Sequence, residues 1–260
     1  MEYIHGLDLS LIMRYVGLLT NTDSQFYIAS MILILQYLHE REIIYRDLKP
    51  DNCIVDIDGY IKLVDFGTAK VLQGRTYTLV GSPHYVAPEV IVGKGYNKMA
   101  DIWSLGICLY EFMCGKVPFG EEESDPYRIY EEILEKNIEF PEGSESIGEV
   151  APGFIKQLLS KFPDSRSPGP IEKLKKHEWF SGFDWEALAL KAHNPPYKPD
   201  IPDVNENDDE LEDLDDSQAP WDKQLDEASN NTSDSLPEVV DTEIEEYKKT
   251  IPYNWDQQFV

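Results

Sequence analysis

Residues 45–52 of this 260-residue chain read Tyr-Arg-Asp-Leu-Lys-Pro-Asp-Asn, and Asp65-Phe66-Gly67 begins thirteen positions after Asn52. These residue types define a chemistry. A carboxylate at Asp47 suits the acceptance of a proton, and an ammonium at Lys49 suits a phosphate. Asn52 and Asp65 are hard oxygen donors of the kind that hold Mg²⁺. Together they are the working parts of phosphoryl transfer. Only 46 residues precede Asp47, which predicts that elements able to grip a nucleotide triphosphate are missing upstream of this stretch.

Something must position these groups. From Asp23 to Arg41 the apolar residues Phe26, Tyr27, Ile32, Leu35 and Leu38 predict a long, mostly buried helix that delivers the chain to the Tyr45 loop. Cys53–Ile57 and Tyr60–Val64 are β-branched runs around Asp58-Gly59, the pair favoured in type I′ hairpin turns, where both central residues need positive φ. One hairpin would then carry Asn52 and Asp65 and bring them together, as a shared metal site requires. Ala100–Cys114 is apolar on nearly all sides and ends at Gly115, which predicts a central buried helix with a glycine stop. Tyr127–Lys136 and Phe154–Lys161 read as amphipathic surface helices, and a short helix is expected over Ile171–His177. The body should end near Phe183.

The formal net charge is −26, but residues 200–247 carry nineteen Asp or Glu against the single Lys223, or −18. The body is therefore only mildly acidic. Such a surface repels nucleic acid and suits cationic peptides. Pro195, Pro196, Pro199 and Pro202 followed by eight acids in Asn205–Asp216 predict an extended or disordered tail. Within it, Trp221-Asp222-Lys223-Gln224-Leu225 and Trp255-Asp256-Gln257-Gln258-Phe259 share the form Trp-Asp-x-x-apolar, either a chance repeat or a pair of docking motifs. Cys53, Cys108 and Cys114 sit in apolar runs without metal-ligand spacing, as reduced core thiols of a cytoplasmic protein do. No signal peptide is visible. The longest apolar run, Met99–Cys114, is interrupted by Asp101 and Glu111 and is shorter than the ~18 residues of a membrane span.

Asp47 with Asn52, then Asp65-Phe66-Gly67, then Ala87-Pro88-Glu89 matches the protein-kinase signature in order and spacing. Gly67-Thr68-Ala69-Lys70, Arg75-Thr76-Tyr77-Thr78-Leu79 and Gly81 to Glu89 resemble the activation segment of AGC-group Ser/Thr kinases, closest to the cyclic-nucleotide-dependent branch and its cGMP-dependent members. The resemblance implies roles. Asp47 would orient the substrate hydroxyl and take its proton, Lys49 would face the transferred phosphoryl, and Asn52 and Asp65 would bind Mg²⁺. Thr78 would be the activation phosphosite, modified by an upstream kinase, with Arg46 and Lys70 as cations for its phosphate. Ser82 would contact both Asp47 and Lys49. Glu89 would pair with Arg166, and Asp101 would accept backbone donors from the catalytic loop.

Asp8, Asp51 and Glu111 match positions where such kinases set carboxylates against arginines upstream of the target Ser or Thr, and Leu79, Pro83 and Val86 would line a pocket for the residue after it. Met1-Glu2-Tyr3 resembles the hinge between kinase lobes, so Glu2 and Tyr3 would contact ATP. The resemblance covers residues 1–199 firmly and the remainder loosely. It implies a mainly α large lobe with a small β-hairpin at the catalytic loop (residues 1–183), an acidic tail (184–260), and no N-terminal β-lobe. The expected activity is transfer of the ATP γ-phosphoryl group to basic Ser/Thr proteins, with ATP and Mg²⁺ as cofactors. A non-catalytic lobe that binds peptides as a decoy or scaffold is the alternative.

Overall fold

The computed structural model describes residues 4–141, 147–167 and 169–199. All belong to one compact unit running to Ile201. Glu2, Tyr3 and both Trp-Asp motifs lie outside the described residues.

The chain enters through β1 (Gly6–Asp8) and turns directly into α1 (Leu9–Val16), whose first turn is capped by the Asp8 carboxylate accepting from Leu11 N–H at 2.7 Å. α2 (Asn21–Glu40) follows, opened by a capping box in which Thr20 and Asp23 satisfy each other's backbone N–H groups. β2 (Ile43–Ile44) leads to the catalytic loop, then come β3 (Cys53–Asp56), β4 (Ile61–Leu63) and β5 (Lys70–Val71). The remaining helices are α3 (Pro88–Val92), α4 (Met99–Cys114), α5 (Pro126–Glu135), α6 (Ala151–Leu158), α7 (Pro163–Arg166) and α8 (Trp185–Ala189).

Among the described residues the structure is mostly helical with two small antiparallel sheets, one of three strands ordered β1-β3-β4 and one of two, β2-β5. The expected hairpin is there, but it is not isolated. β1 flanks it, with Leu7 opposite Val55, and a separate ribbon pairs Ile43 with Val71 and Ile44 with Lys70. The turn also differs from the type I′ expectation. Only Gly59 has positive φ, at 89°. Gly59 N–H donates to the Asp56 carbonyl at 2.8 Å, and the Asp56 side chain accepts from the N–H groups of Asp58 and Tyr60 at 3.1 and 2.9 Å. A side chain that closes the turn itself favours a three-residue loop with a left-handed glycine at its end.

α4 is the centre. Fourteen of its sixteen residues are buried, and it ends at Gly115 with φ 73°, as the sequence predicts. α2 packs along one side and α6 along another. Trp103 stacks on Phe119 at 6.0 Å, while Phe154, Trp179 and Phe180 form an aromatic cluster at 4.7–5.7 Å. α6 starts and ends three residues earlier than Phe154–Lys161, and the short helix expected over Ile171–His177 is present as a 3₁₀ helix, Ile171–Lys176. Pro170, immediately before it, and Gly169 with φ 119° set the entry.

Past Phe183 the chain stays on the body. Asp184 caps α8, α8 packs on α2, His193 stacks on Phe183 at 4.9 Å, and the His193 carbonyl accepts from Tyr60 Oη at 2.7 Å. Cys53 and Cys108 are buried free thiols and Cys114 is half-buried. Among the described residues no helix is long and apolar enough to cross a membrane.

Candidate active site

The catalytic loop hangs from the core helix. Asp101, fully buried on α4, accepts from Tyr45 N–H at 3.0 Å, from Arg46 N–H at 2.8 Å and from His39 Nε2 at 2.7 Å. Asp101 thus satisfies two successive backbone N–H groups of the loop. His39, at the end of α2, was not singled out from sequence; it lies 62 residues from Asp101 and no periodicity links them. Arg46 sits at φ 75° and Asp65 at φ 51°, left-handed backbone that non-glycine residues seldom adopt. Both ends of the site thus carry local strain, which the surrounding bonds must hold.

Asp47 is 9% exposed and densely bonded. Its Oδ1 accepts from Ser82 N–H at 2.8 Å and Ser82 Oγ at 2.9 Å, and its Oδ2 accepts from Asn52 Nδ2 at 2.9 Å. Lys49 Nζ donates to Ser82 Oγ at 2.7 Å and lies 3.7 Å from Asp47 Oδ2. Ser82 thus joins Asp47 and Lys49, though it comes from a segment 35 residues downstream of Asp47. A carboxylate that accepts three hydrogen bonds has a fixed direction. Such a group serves by orientation.

Asn52 spends its amide nitrogen on the Asp47 side chain and carbonyl, at 2.9 and 2.8 Å, which turns its amide oxygen the other way. Val64 N–H donates to the Asn52 carbonyl at 3.0 Å, so the ladder holds Asn52 one residue from Asp65 across the two strands. The exposed Asp65 carboxylate offers Oδ1 to Gly67 N–H at 3.0 Å. Among the described residues no three His, Cys, Asp or Glu side chains gather into a metal site. A cation here would draw on this amide and carboxylate pair and on phosphate oxygens, a donor set that fits Mg²⁺.

The activation segment is tied down at several points. Lys70 Nζ donates to Thr76 Oγ1 at 3.1 Å, Arg46 Nε donates to the Thr68 carbonyl at 2.5 Å, and Thr78 is exposed. Glu89 and Arg166 form a two-pronged pair at 2.6 and 2.7 Å, with Arg166 fully buried and also donating to the carbonyls of Ser160 and Met99 at 2.8 and 2.9 Å.

The proposed groove acids divide. Burial of Glu111 lifts its carboxyl to about 7, while a hydrogen bond from Tyr85 Oη at 2.7 Å pulls it down and the Asp51 charge pushes it further up. Asp51 and Glu111 are thus electrostatic neighbours. Asp8 has one oxygen committed to capping α1, which packs on the turn holding Asp51. Val86 is buried, and Leu79 and Pro83 are half-buried on the same segment. Tyr85, the partner of Glu111, carries no sequence signal beyond its place between Pro83 and Pro88.

A family model described as a protein kinase domain matches residues 1–180. A cGMP-dependent protein kinase of Toxoplasma gondii is 47% identical over 201 residues, covering 76% of this chain and 20% of the relative. One from Plasmodium berghei is 45% identical over 222 residues, covering 82% and 26%. The human cAMP-dependent protein kinase catalytic subunit PRKX is 40% identical over 208 residues, covering 77% and 56%. The chain spans about a fifth to a quarter of the cGMP-dependent relatives. A domain match over more than half the chain, on a site that joins Asp47, Lys49, Asn52 and Ser82, places this chain in the protein kinase family, among AGC-type relatives of the cyclic-nucleotide-dependent enzymes.

Proposed function

We propose that this chain is the large-lobe part of a Ser/Thr kinase that transfers the ATP γ-phosphoryl group to arginine-containing protein substrates in the cytoplasm. The observation that carries this reading is the Asp47 carboxylate, held from Ser82 and Asn52 while Lys49 binds the same serine. Asp47 faces the substrate hydroxyl and accepts its proton late in a loose transition state, where position counts for more than base strength. Lys49, within reach of the same centre, offsets charge on the transferred group. Asn52 and Asp65 are the residues that would hold Mg²⁺, which supplies charge neutralisation at the phosphate oxygens when bound.

Ser82 gives the segment that carries the peptide groove a direct bond to the base, so substrate position and base position are coupled. Asp51, Glu111 and Asp8 form the acidic side that suits guanidinium groups, and Leu79, Pro83 and Val86 the apolar side beyond the target residue. Thr78, exposed two residues after the Thr76 that Lys70 binds, is the site for an activating phosphate, with Arg46 and Lys70 as its cations. Residues 1–183 act as hinge and large lobe, Glu2 and Tyr3 as nucleotide contacts, and 184–260 as the tail.

The test is ATP-dependent phosphorylation of an arginine-containing Ser peptide. It is run on the 260-residue chain alone and on a fusion to the region that precedes the match in a cGMP-dependent relative. The fusion should turn over, the chain alone should not, and Asp47→Asn should cost about 10²–10⁴-fold. No turnover by the fusion, together with tight binding of the same peptide, would replace this reading with the decoy or scaffold.

A further inference from the structure

The loop that leads into α4 carries a side chain that the sequence pattern does not mark. Tyr96 is 3% exposed, and its backbone forms an isolated antiparallel bridge with Thr76, N–H to carbonyl in both directions at 3.0 and 2.9 Å. Its phenol donates to the Thr78 carbonyl at 2.6 Å and stands 3.4 Å from Arg46 Nη1. Burial raises the phenol pKa, against the pull of Arg46, so the hydroxyl keeps its proton and remains a donor. Arg46 is anchored independently, through its N–H to Asp101 and its Nε to Thr68. One hydroxyl therefore stands between the residue preceding Asp47 and the exposed threonine of the activation segment.

We propose that Tyr96 is a positioning residue for the phosphotransfer assigned above, its hydroxyl holding Thr78 and Arg46 in register while Thr78 carries no phosphate. The catalytic part of this inference rests on that reading; the structural part does not. Arg46 and Thr78 are joined through a neutral hydroxyl where a phosphate on Thr78 would supply charge, so the phenol is the weaker of two devices serving one purpose. It is also the one present before any modification. Packing around it is close. Arg46, Val80, Val86, Val90 and Tyr96 are among the walls of a cavity of only about 10 Å³, room for no more than one water. The Tyr77 ring covers Gly95, where an added Cβ would meet it at 2.7 Å. Removing the hydroxyl alone leaves these contacts in place, so phenylalanine is a clean probe.

The measurement is the rate at which trypsin cuts after Arg75, exposed on this segment, in the full 260-residue chain. Tyr96→Phe should speed cleavage about fivefold, the loss of roughly one net hydrogen bond, with the thermal midpoint within about 2 °C of wild type. The same variant bearing phosphothreonine at position 78 should return to the slow rate, since the phosphate engages Arg46 directly. Equal rates for wild type and variant overturn the proposal. So does a faster rate that the phosphate fails to reverse, because that is what loss of packing alone produces. In the fusion assay the variant should lower kcat about fivefold and leave peptide KM within twofold, and an effect confined to KM speaks against positioning. Should wild type show no turnover, the phosphotransfer reading fails while the cleavage comparison still decides whether Tyr96 pins the segment.

Discussion

Glu111 shows how far surroundings decide what a side chain does. Its sequence neighbours are apolar, and burial lifts its carboxyl to about 7 despite the Tyr85 hydroxyl that favours the charged form. The folded chain therefore holds a proton that the unfolded chain releases near its ordinary value of 4.5. Between those values the native state binds more protons, so stability falls as pH rises from about 4.5 to about 7 and is flat above. Discounted for partial exposure, the loss is about 2 kcal/mol. Glu111→Gln keeps an acceptor for Tyr85 and should remove this part of the slope in urea unfolding across that range; matching profiles would show that Glu111 does not titrate there. On the proposed reading, a substrate arginine set beside Glu111 would draw the proton off and so tie its binding to pH in the same window. Asp47, Lys49 and Asn52 were legible because five residues of chain fix their spacing. Tyr85, His39 and Tyr96 were not, because their partners lie 26, 62 and 50 residues away and only the folded path brings them together.

At the scale of elements, α4 carries the site, and its crossing with α6 depends on Gly106. A Cβ there would meet Leu158 Cβ and Leu159 Cδ2 at 2.8 Å. Helix propensity alone favours Gly106→Ala by about 1 kcal/mol. The clash is with packed branched side chains at an interhelical contact, and overpacking of that kind costs about 1–3 kcal/mol. Overpacking should win, so the variant should unfold at lower urea than wild type; a gain in stability would mean the two helices separate freely. The long helices α2 and α4 were readable from apolar pattern and stop signals because sixteen or twenty residues give a pattern room to show. β2 and β5, of two residues each, were not. Strands that short have no period, and pairing between Ile44 and Lys70 is a consequence of where the catalytic loop and activation segment must run. The hairpin was legible in outline, but its turn type was set by the Asp56 side chain, which propensity at Asp58-Gly59 does not report.

Across the whole molecule, Arg166 and Glu89 bind the end of the activation segment to α7, with further bonds to Met99 at the head of α4 and to Ser160 after α6. Arg166→Met leaves the Glu89 charge without its partner and should cost about 3–5 kcal/mol in urea unfolding, whereas the double replacement with Glu89→Leu should recover much of it. Additive losses would show that the two side chains act separately. The sequence disclosed this pair only through the family resemblance, since 77 residues separate them. Arg46 and Asp65 occupy left-handed backbone that glycine adopts without cost. Glycine at either position would relieve the backbone strain but would also remove the bonds of the Arg46 guanidinium to Thr68 and Tyr96 and of the Asp65 carboxylate to Gly67. Backbone preference alone gives no reason for an arginine or a carboxylate at these two positions, so what the residues contribute lies in their side chains.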